Sequence, residues 1–148
     1  MDIVKVTENK KQFLDLLLLG DEQESMIDRY LDRGDMFALY DFDLKGVCVV
    51  TDEGDGIYEI KNIATYQQYQ RQGYGKALIE YVLEHYKGKC TQMLVGTGDG
   101  TSTDQFYKKC GFTISHRIPN FFTDNYDHPI IEDGVLLRDM VYLYRSVP

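Results

Sequence analysis

Between Met36 and Thr65 three apolar segments, "MFALYDF", "KGVCVVT" and "GIYEIKNIAT", are separated only by "DLKG" and "DEGDG". Segments rich in β-branched and aromatic residues, with Gly- and Asp-containing breaks this short, predict hairpins and therefore an antiparallel meander. Such a sheet must be covered by something apolar. The chain supplies a cover at once: from Tyr74 to Tyr86, Tyr74, Leu78, Tyr81, Val82 and His85 mark one helical face, and Lys76, Glu80, Glu84 and Lys87 the other. Gly88 suits the position just past that helix.

The flanking segments complete an alternation of strand and helix. "DIVKV" reads as a first strand, and "NKKQFLDLLLL" as a helix with Phe13, Leu16 and Leu17 at helical spacing. A second short helix is expected near Ser25, with Ser25 and Asp28 as a capping pair, and Gly34 ends it. After the Tyr74 helix come "QMLVGT" as a buried strand, then a short helix with Ser102 and Gln105 at capping-box spacing, closed by Gly111. "FTISHRI" and "VLLRDMVYLYR" are predicted as the last strands, joined by the long loop "PNFFTDNYDHPIIEDG". The predicted order is β-α-α-β-β-β-α-β-α-β-β, an α/β (α+β) fold with a mixed, mostly antiparallel sheet. No linker or repeat divides it, so residues 1–148 are expected to form a single domain.

Composition excludes several classes. Apolar residues make up 43% and charged residues 27%, as in globular proteins, and no apolar run approaches the about 20 residues of a membrane helix. The opening "MDIVKVTENKK" has no signal-peptide layout, and Cys48, Cys90 and Cys110 form no C-x-x-C. A cytoplasmic protein with buried thiols is expected, without membrane contact. A net charge of -8 argues against nucleic acid as partner and is mildly compatible with cationic substrates, although solubility alone accounts for it. His85, His116 and His128 lack ligand spacing, so no metal is expected.

The stretch "QYQRQGYGKAL", residues 68–78, leads from the third meander strand into the helix. A helix opening at Gly73 to Gly75 leaves its first N–H groups without intrahelical acceptors, and they bind anions. Glycines let a phosphate approach the backbone, and the helix dipole adds positive potential without a basic protein. Arg71 and Lys76 flank the turn as charged donors.

Gln70-Arg71-Gln72-Gly73-Tyr74-Gly75 resembles the Q/R-x-x-G-x-G/A pyrophosphate loop of the GNAT N-acetyltransferase superfamily, preceded by "YEIKNIAT" where that family has its central strand. "QFYKKCGF", residues 105–112, resembles that family's later short-helix signature. The resemblance covers Ile57 to Phe112 closely. It implies acetyl-CoA as donor, with its pyrophosphate on the backbone of Gln72 to Lys76 and its pantetheine arm paired with the backbone of Ile63, Ala64 and Thr65 as an added strand. It also implies transfer to an amine acceptor, whose identity the motifs do not specify: small molecule or protein. A non-catalytic acyl-CoA-sensing module is the alternative reading.

Acetyl transfer needs a neutral amine, a polarised carbonyl and a stabilised leaving thiolate. The register of "EIKNIATYQQYQRQGYG" resembles that of histone acetyltransferases, where the residue matching Glu59 is a general base. Asp139, interrupting the last strand, is the next candidate. Tyr107 stands where related enzymes often put a general acid near the sulfur. A bulge near Ile63 to Thr65 would free backbone donors for the carbonyl. The family's Asn seven residues before the tyrosine is here Gly100, which puts a side-chain contact to the pantetheine arm in doubt. The loop over residues 119–134 is a candidate for the acceptor pocket or for a homodimer contact. "VGTGDGT" offers a competing nucleotide loop, but its glycine spacing matches neither the dinucleotide nor the P-loop pattern.

Overall fold

A computed structural model describes residues 1–148. The chain runs through strand β1 (Asp2–Val6), a 3-10 turn (Lys10–Phe13), helices α1 (Leu14–Gly20) and α2 (Glu24–Ile27), and strands β2 (Asp35–Asp41), β3 (Asp43–Gly54) and β4 (Ile57–Thr65). A second 3-10 turn (Gln67–Tyr69) leads into α3 (Tyr74–His85), β5 (Gln92–Gly98), α4 (Thr103–Lys109) and β6 (Thr113–Ile118). Then come α5 (Phe121–Asn125), the small hairpin β7 (Ile131–Glu132) and β8 (Val135–Leu136), and β9 (Met140–Ser146). No helix is long and apolar enough to cross a membrane.

One seven-stranded sheet, in the order β1-β2-β3-β4-β5-β9-β6, organises all of this. Every pairing in it is antiparallel except β4 with β5. Both faces are apolar, because successive side chains alternate. Met36, Ala38, Val47, Val49 and Ala64 pack under α1 with Leu16 and Leu17. Phe37, Leu39, Cys48, Val50 and Ile60 pack on the other face with α3 and α4 through Leu78, Val82 and Tyr107. All three cysteines are buried free thiols, and burial pushes that of Cys48 up to about 12.

Several local expectations are corrected. The β2–β3 hairpin turns at Phe42, with φ 68°, and not through "DLKG". That segment belongs to β3, with Lys45 as the extra residue of a bulge between Leu39↔Gly46 and Tyr40↔Leu44. The β3–β4 turn does use its Asp-Gly: Asp55 and Gly56 both have positive φ, 55° and 79°, as a two-residue hairpin turn of the right twist requires. Ser25 does not cap α2, which starts from Gln23, and Asp28 lies at its C-terminal end. Ser102 does stand at the N-cap of α4, but its hydroxyl bonds Asp133 Oδ2 at 2.7 Å instead of closing a capping box. "VLLRDMVYLYR" is not one strand: Leu137 to Asp139 separate β8 from β9, where Leu137 is buried with Phe122 and Ile130 in a small third cluster. The long loop is therefore structured, as α5 and the β7–β8 hairpin.

Candidate active site

The site arises where β4 and β5 part. Their parallel ladder covers only Ile57–Ile60 against Gln92–Val95. Beyond it β4 stays with β3 and β5 with β9, so a split opens through the middle of the sheet. At the same point β4 bulges. Val50 pairs with Ile60 and Val49 with Asn62, leaving Lys61 as the extra residue. This bulge lies two residues before Ile63, and Ile63 to Thr65 themselves stay in regular register with β3. A cleft of about 790 Å³ is centred here, lined by Glu59 to Thr65, Tyr69 to Lys76 except Gln72, and Tyr107 among others.

Past the bulge the backbone of β4 faces two ways. The Tyr66 N–H donates to Lys45 O at 3.1 Å, toward β3. By the alternation of an antiparallel ladder, Ala64 turns its N–H and C=O the same way, while Ile63 and Thr65 turn theirs into the split. The backbone of Ala64 thus belongs to the β3 ladder, although the residue also lines the cleft.

The glycine loop ends the split. Arg71 and Gly73 have φ of 64° and 90°, and Gly73 is the N-cap of α3 with no side-chain cap. The first main-chain bond of the helix is from Ala77 N to Gly73 O, so the N–H groups of Arg71 through Lys76 have no acceptor within the protein. The two glycines do different work. A Cβ at Gly73 would meet nothing within 4 Å, leaving its surroundings open to a ligand. A Cβ at Gly75 would stand 3.1 Å from Phe106 Cζ, so the bare Cα of Gly75 also lets α3 approach α4, while its N–H stays in the unbonded run. The loop is fastened from outside. Tyr74 Oη donates to Asp41 Oδ2 at 2.7 Å, and Lys45 Nζ lies 3.5 Å from the centre of the Tyr69 ring while also bonding Asp43. Gln70 Nε2 donates to Thr65 O and Gln72 Nε2 to Gln68 O, each at 3.3 Å.

Glu59 and Tyr107 reach this split from opposite faces of the sheet. Glu59 pairs with Thr51 in β3, on the α1 face, and is 7% exposed. Its Oε2 accepts a hydrogen bond from Tyr142 Oη at 3.0 Å and lies 3.1 Å from Lys61 Nζ. Tyr107 sits in the α3/α4 core, where burial holds its hydroxyl pKa above the ordinary tyrosine value. That hydroxyl has no hydrogen-bond partner, and Asn62 Oδ1 is the one sealed side-chain polar atom without a partner, so the Tyr107 oxygen opens on the cleft. Asn62 itself is structural: Nδ2 donates to Leu17 O at 2.9 Å and to Tyr30 Oη at 3.1 Å.

Tyr142 was not foreseen. It follows from alternation in "MVYLY", since Val141 and Leu143 fill the α3 face and send Tyr142 to the other, but its partner Glu59 stands 83 residues away. Its ring stacks on His116 at 5.0 Å between centres, and burial raises its pKa. Asp139 lies outside the cleft: Oδ1 accepts the Asn120 N–H at 2.8 Å and its carbonyl that of Asp99, so it ties down the start of α5. Two glycines of "VGTGDGT" serve packing: a Cβ would fall 2.6 Å from Met140 Sδ at Gly96 and 2.6 Å from Leu137 Cδ2 at Gly98, while Gly100, with φ 86°, supplies a turn. No group of side chains could hold a metal ion.

A bulged strand splayed from its parallel neighbour, with a bare glycine loop at the end of the split, invites comparison with known proteins. Residues 32–114 match the model of the acetyltransferase (GNAT) domain. The chain belongs to the GNAT acetyltransferase family. A relative from Bacillus subtilis strain 168, the uncharacterized N-acetyltransferase YvbK, is 36% identical over 93% of this chain and 90% of its own. Among solved structures, a GNAT family acetyltransferase from Elizabethkingia anophelis with acetyl-CoA bound superposes with a TM-score of 0.91 at 34% identity, covering 98% of this chain and 97% of that one. A B. subtilis acetyltransferase in complex with CoA gives 0.89 at 34% identity, covering 99% and 98%. The fold class and the enzyme class read from the sequence therefore stand: this GNAT protein is an N-acetyltransferase with a mixed, mostly antiparallel sheet.

Proposed function

We propose that the protein moves an acetyl group from acetyl-CoA to a primary amine within the split, with Glu59 as general base and Tyr107 as general acid. One observation carries the reading: the unbonded N–H run from Arg71 to Lys76, Glu59 and the unpartnered Tyr107 hydroxyl all line a single cleft. The open space at Gly73 and the N–H run fit a pyrophosphate, with the Arg71 and Lys76 side chains beside it. The outward N–H and C=O groups of Ile63 and the N–H of Thr65 suit a pantetheine arm lying in the place of a missing strand, beside the Thr65 C=O that Gln70 binds. Relatives of the same fold with acetyl-CoA or CoA bound support this.

In this reading the amine enters on the α1 face and gives its proton to Glu59, directly or through a water. Its nitrogen bonds to the acetyl carbon, the carbon–sulfur bond breaks, and the Tyr107 hydroxyl protonates the departing thiolate on the α3 face. Tyr142 and Lys61 hold the Glu59 carboxylate toward the split. A cytosolic setting accords with the three free thiols. CoA release measured over a panel of amines, with thermal-shift titration against CoA, NAD and ATP, tests the assignment. Stabilisation by NAD or ATP and not by CoA would overturn it.

A further inference from the structure

The segment from Asn120 to Leu137 is fastened on both sides of the cleft, and this constrains what can reach Glu59. On the α1–α2 side, Tyr126 Oη donates to Asp21 Oδ1 at 2.6 Å, the Asp127 N–H to Gln23 Oε1 at 3.0 Å, and Arg29 Nη1 to Asn125 Oδ1 at 3.3 Å. On the α4 side, Ser102 Oγ donates to Asp133 Oδ2 at 2.7 Å and Thr103 Oγ1 to Glu132 Oε1 at 3.1 Å. The two sets of anchors stand on different elements, and residues of both line the same cleft as Glu59. A buried cluster of Phe122, Ile130 and Leu137 stiffens the strap between them. The acceptor side is thus bridged.

The fastening also settles what chemistry is left inside. Asp21 already accepts a second hydroxyl, from Tyr30 at 3.0 Å, so both of its oxygens are engaged. Glu132 and Asp133 are engaged with α4. Half-buried apolar surface of Phe121, Tyr126, Met140 and Tyr142 lines the same cleft as Glu59, with Arg29 and Arg33 also in the lining.

Resting on the reading of Glu59 as the base, we propose that the acceptor is a compact, free amine with an apolar body, and not an amine carried on a polypeptide. A lysine or chain terminus of a protein brings flanking backbone that the strap excludes, while a small amine fits beneath it. A carboxylate-rich cleft alone would have suggested polycations, but Asp21, Glu132 and Asp133 are tied up in the strap's anchors, and Glu22, also in the lining, lies 4.0 Å from His128 of the strap.

The test uses two CoA conjugates whose sulfur is joined through an acetyl linker either to 2-phenylethylamine or to a lysine side chain inside an unstructured peptide. Their affinities are compared with that of CoA by calorimetry. Each is measured on the native protein and on a Gln23→Cys/Asp127→Cys variant cross-linked by a short bis-thiol reagent, which holds the strap down; the native thiols are buried. The expected result is that the phenylethyl conjugate binds at least as tightly as CoA to both proteins, and the peptide conjugate about a hundredfold more weakly to both. Equal, tight binding of the peptide conjugate to the native protein, lost on cross-linking, overturns the size limit and leaves the site intact. A phenylethyl conjugate weaker than CoA on the native protein overturns the compact apolar acceptor. If both conjugates match CoA on both proteins, the amine end does not lie under the strap, and the assignment of Glu59 falls with the proposal.

Discussion

The two halves of the cleft are built from different materials. The half proposed for the cofactor is main chain: N–H groups from Arg71 to Lys76 and the edge of Ile63 and Thr65 that β5 leaves, where Gln70 binds the Thr65 carbonyl. The acceptor half is side chains knotted across long separations, as with Tyr126 and Asp21, 105 residues apart. A backbone site needs only a glycine and a helix start, which a few adjacent residues encode. A side-chain site is specified by pairs that meet only after folding, and each pair can change without disturbing the loop.

Substitutions can sharpen or break that contrast. The largest effect is expected for Glu59→Gln in the acceptor half: a loss of about 10²- to 10⁴-fold in kcat near neutral pH, with CoA affinity unchanged. The loss should shrink in alkali, where the amine deprotonates without help. An unchanged pH–rate profile would mean that the proton leaves by another route. Tyr142→Phe should give a milder version of the same profile, since it removes only the hydrogen bond that holds Glu59.

For Tyr107→Phe, kcat is expected to fall about a hundredfold or less, because a thiolate leaves readily. Its hydroxyl makes no hydrogen bond, so melting temperature and CoA affinity should stay near those of the native protein. A destabilised variant with full turnover would reduce Tyr107 to a core aromatic.

Gly73→Ala and Gly88→Ala form a matched pair for the cofactor half. Both glycines have nearly the same φ, 90° and 91°, and both have open space where a Cβ would go. Each change should cost about 1 kcal/mol of stability through backbone strain. Only Gly73→Ala should also weaken CoA binding, by at least about tenfold in a direct titration. Equal affinity in the two variants would break the claim that this half is made of backbone.

The smallest effect concerns the strap. Burial raises the pKa of Asp21, which remains above its unfolded value although Tyr126 and Tyr30 donate to it. The folded state then holds the proton more tightly than the unfolded chain. The contribution to stability is therefore present below the unfolded value of about 3.9 and is lost as pH rises through the folded value. Asp21→Asn does not titrate. Its melting temperature relative to the native protein should rise by a few degrees between pH 4 and pH 7, and a fall over that range would contradict the direction of the shift.

The meander, the α3 helix and the glycine loop were legible because their signals are local: alternation in "VCVVT", Asp-Gly at residues 55 and 56, and Gly73 ahead of an amphipathic stretch. Glu59 and Tyr107 were singled out only through the resemblance around them, and the structure brings both to the lining of one cleft. What was not legible depends on contacts between distant segments. The hydroxyl of Ser102 goes to Asp133 and not to the start of its own helix. Gly75 owes its identity to Phe106 on another helix. Asp139 looked reactive in the last strand, yet its carboxylate holds the Asn120 N–H. The strap read as a loop because α5 and the β7–β8 hairpin are too short to show a period.

The extra residue at Lys61 has a consequence for insertions and deletions. Ahead of it Glu59 points toward α1 and Ile60 toward α3; after it Asn62 and Ala64 point toward α1 and Ile63 toward α3. The strand changes phase there by one residue. Removing Lys61 would leave an unbroken two-residue alternation in which Glu59, Asn62 and Ala64 keep the α1 face and Ile60 and Ile63 the α3 face, so both ends of β4 stay seated and only the bulge beside the split is lost. A single-codon deletion at this position would therefore straighten the strand, whereas one in the regular part of β4 would turn every side chain on one side of it to the opposite face.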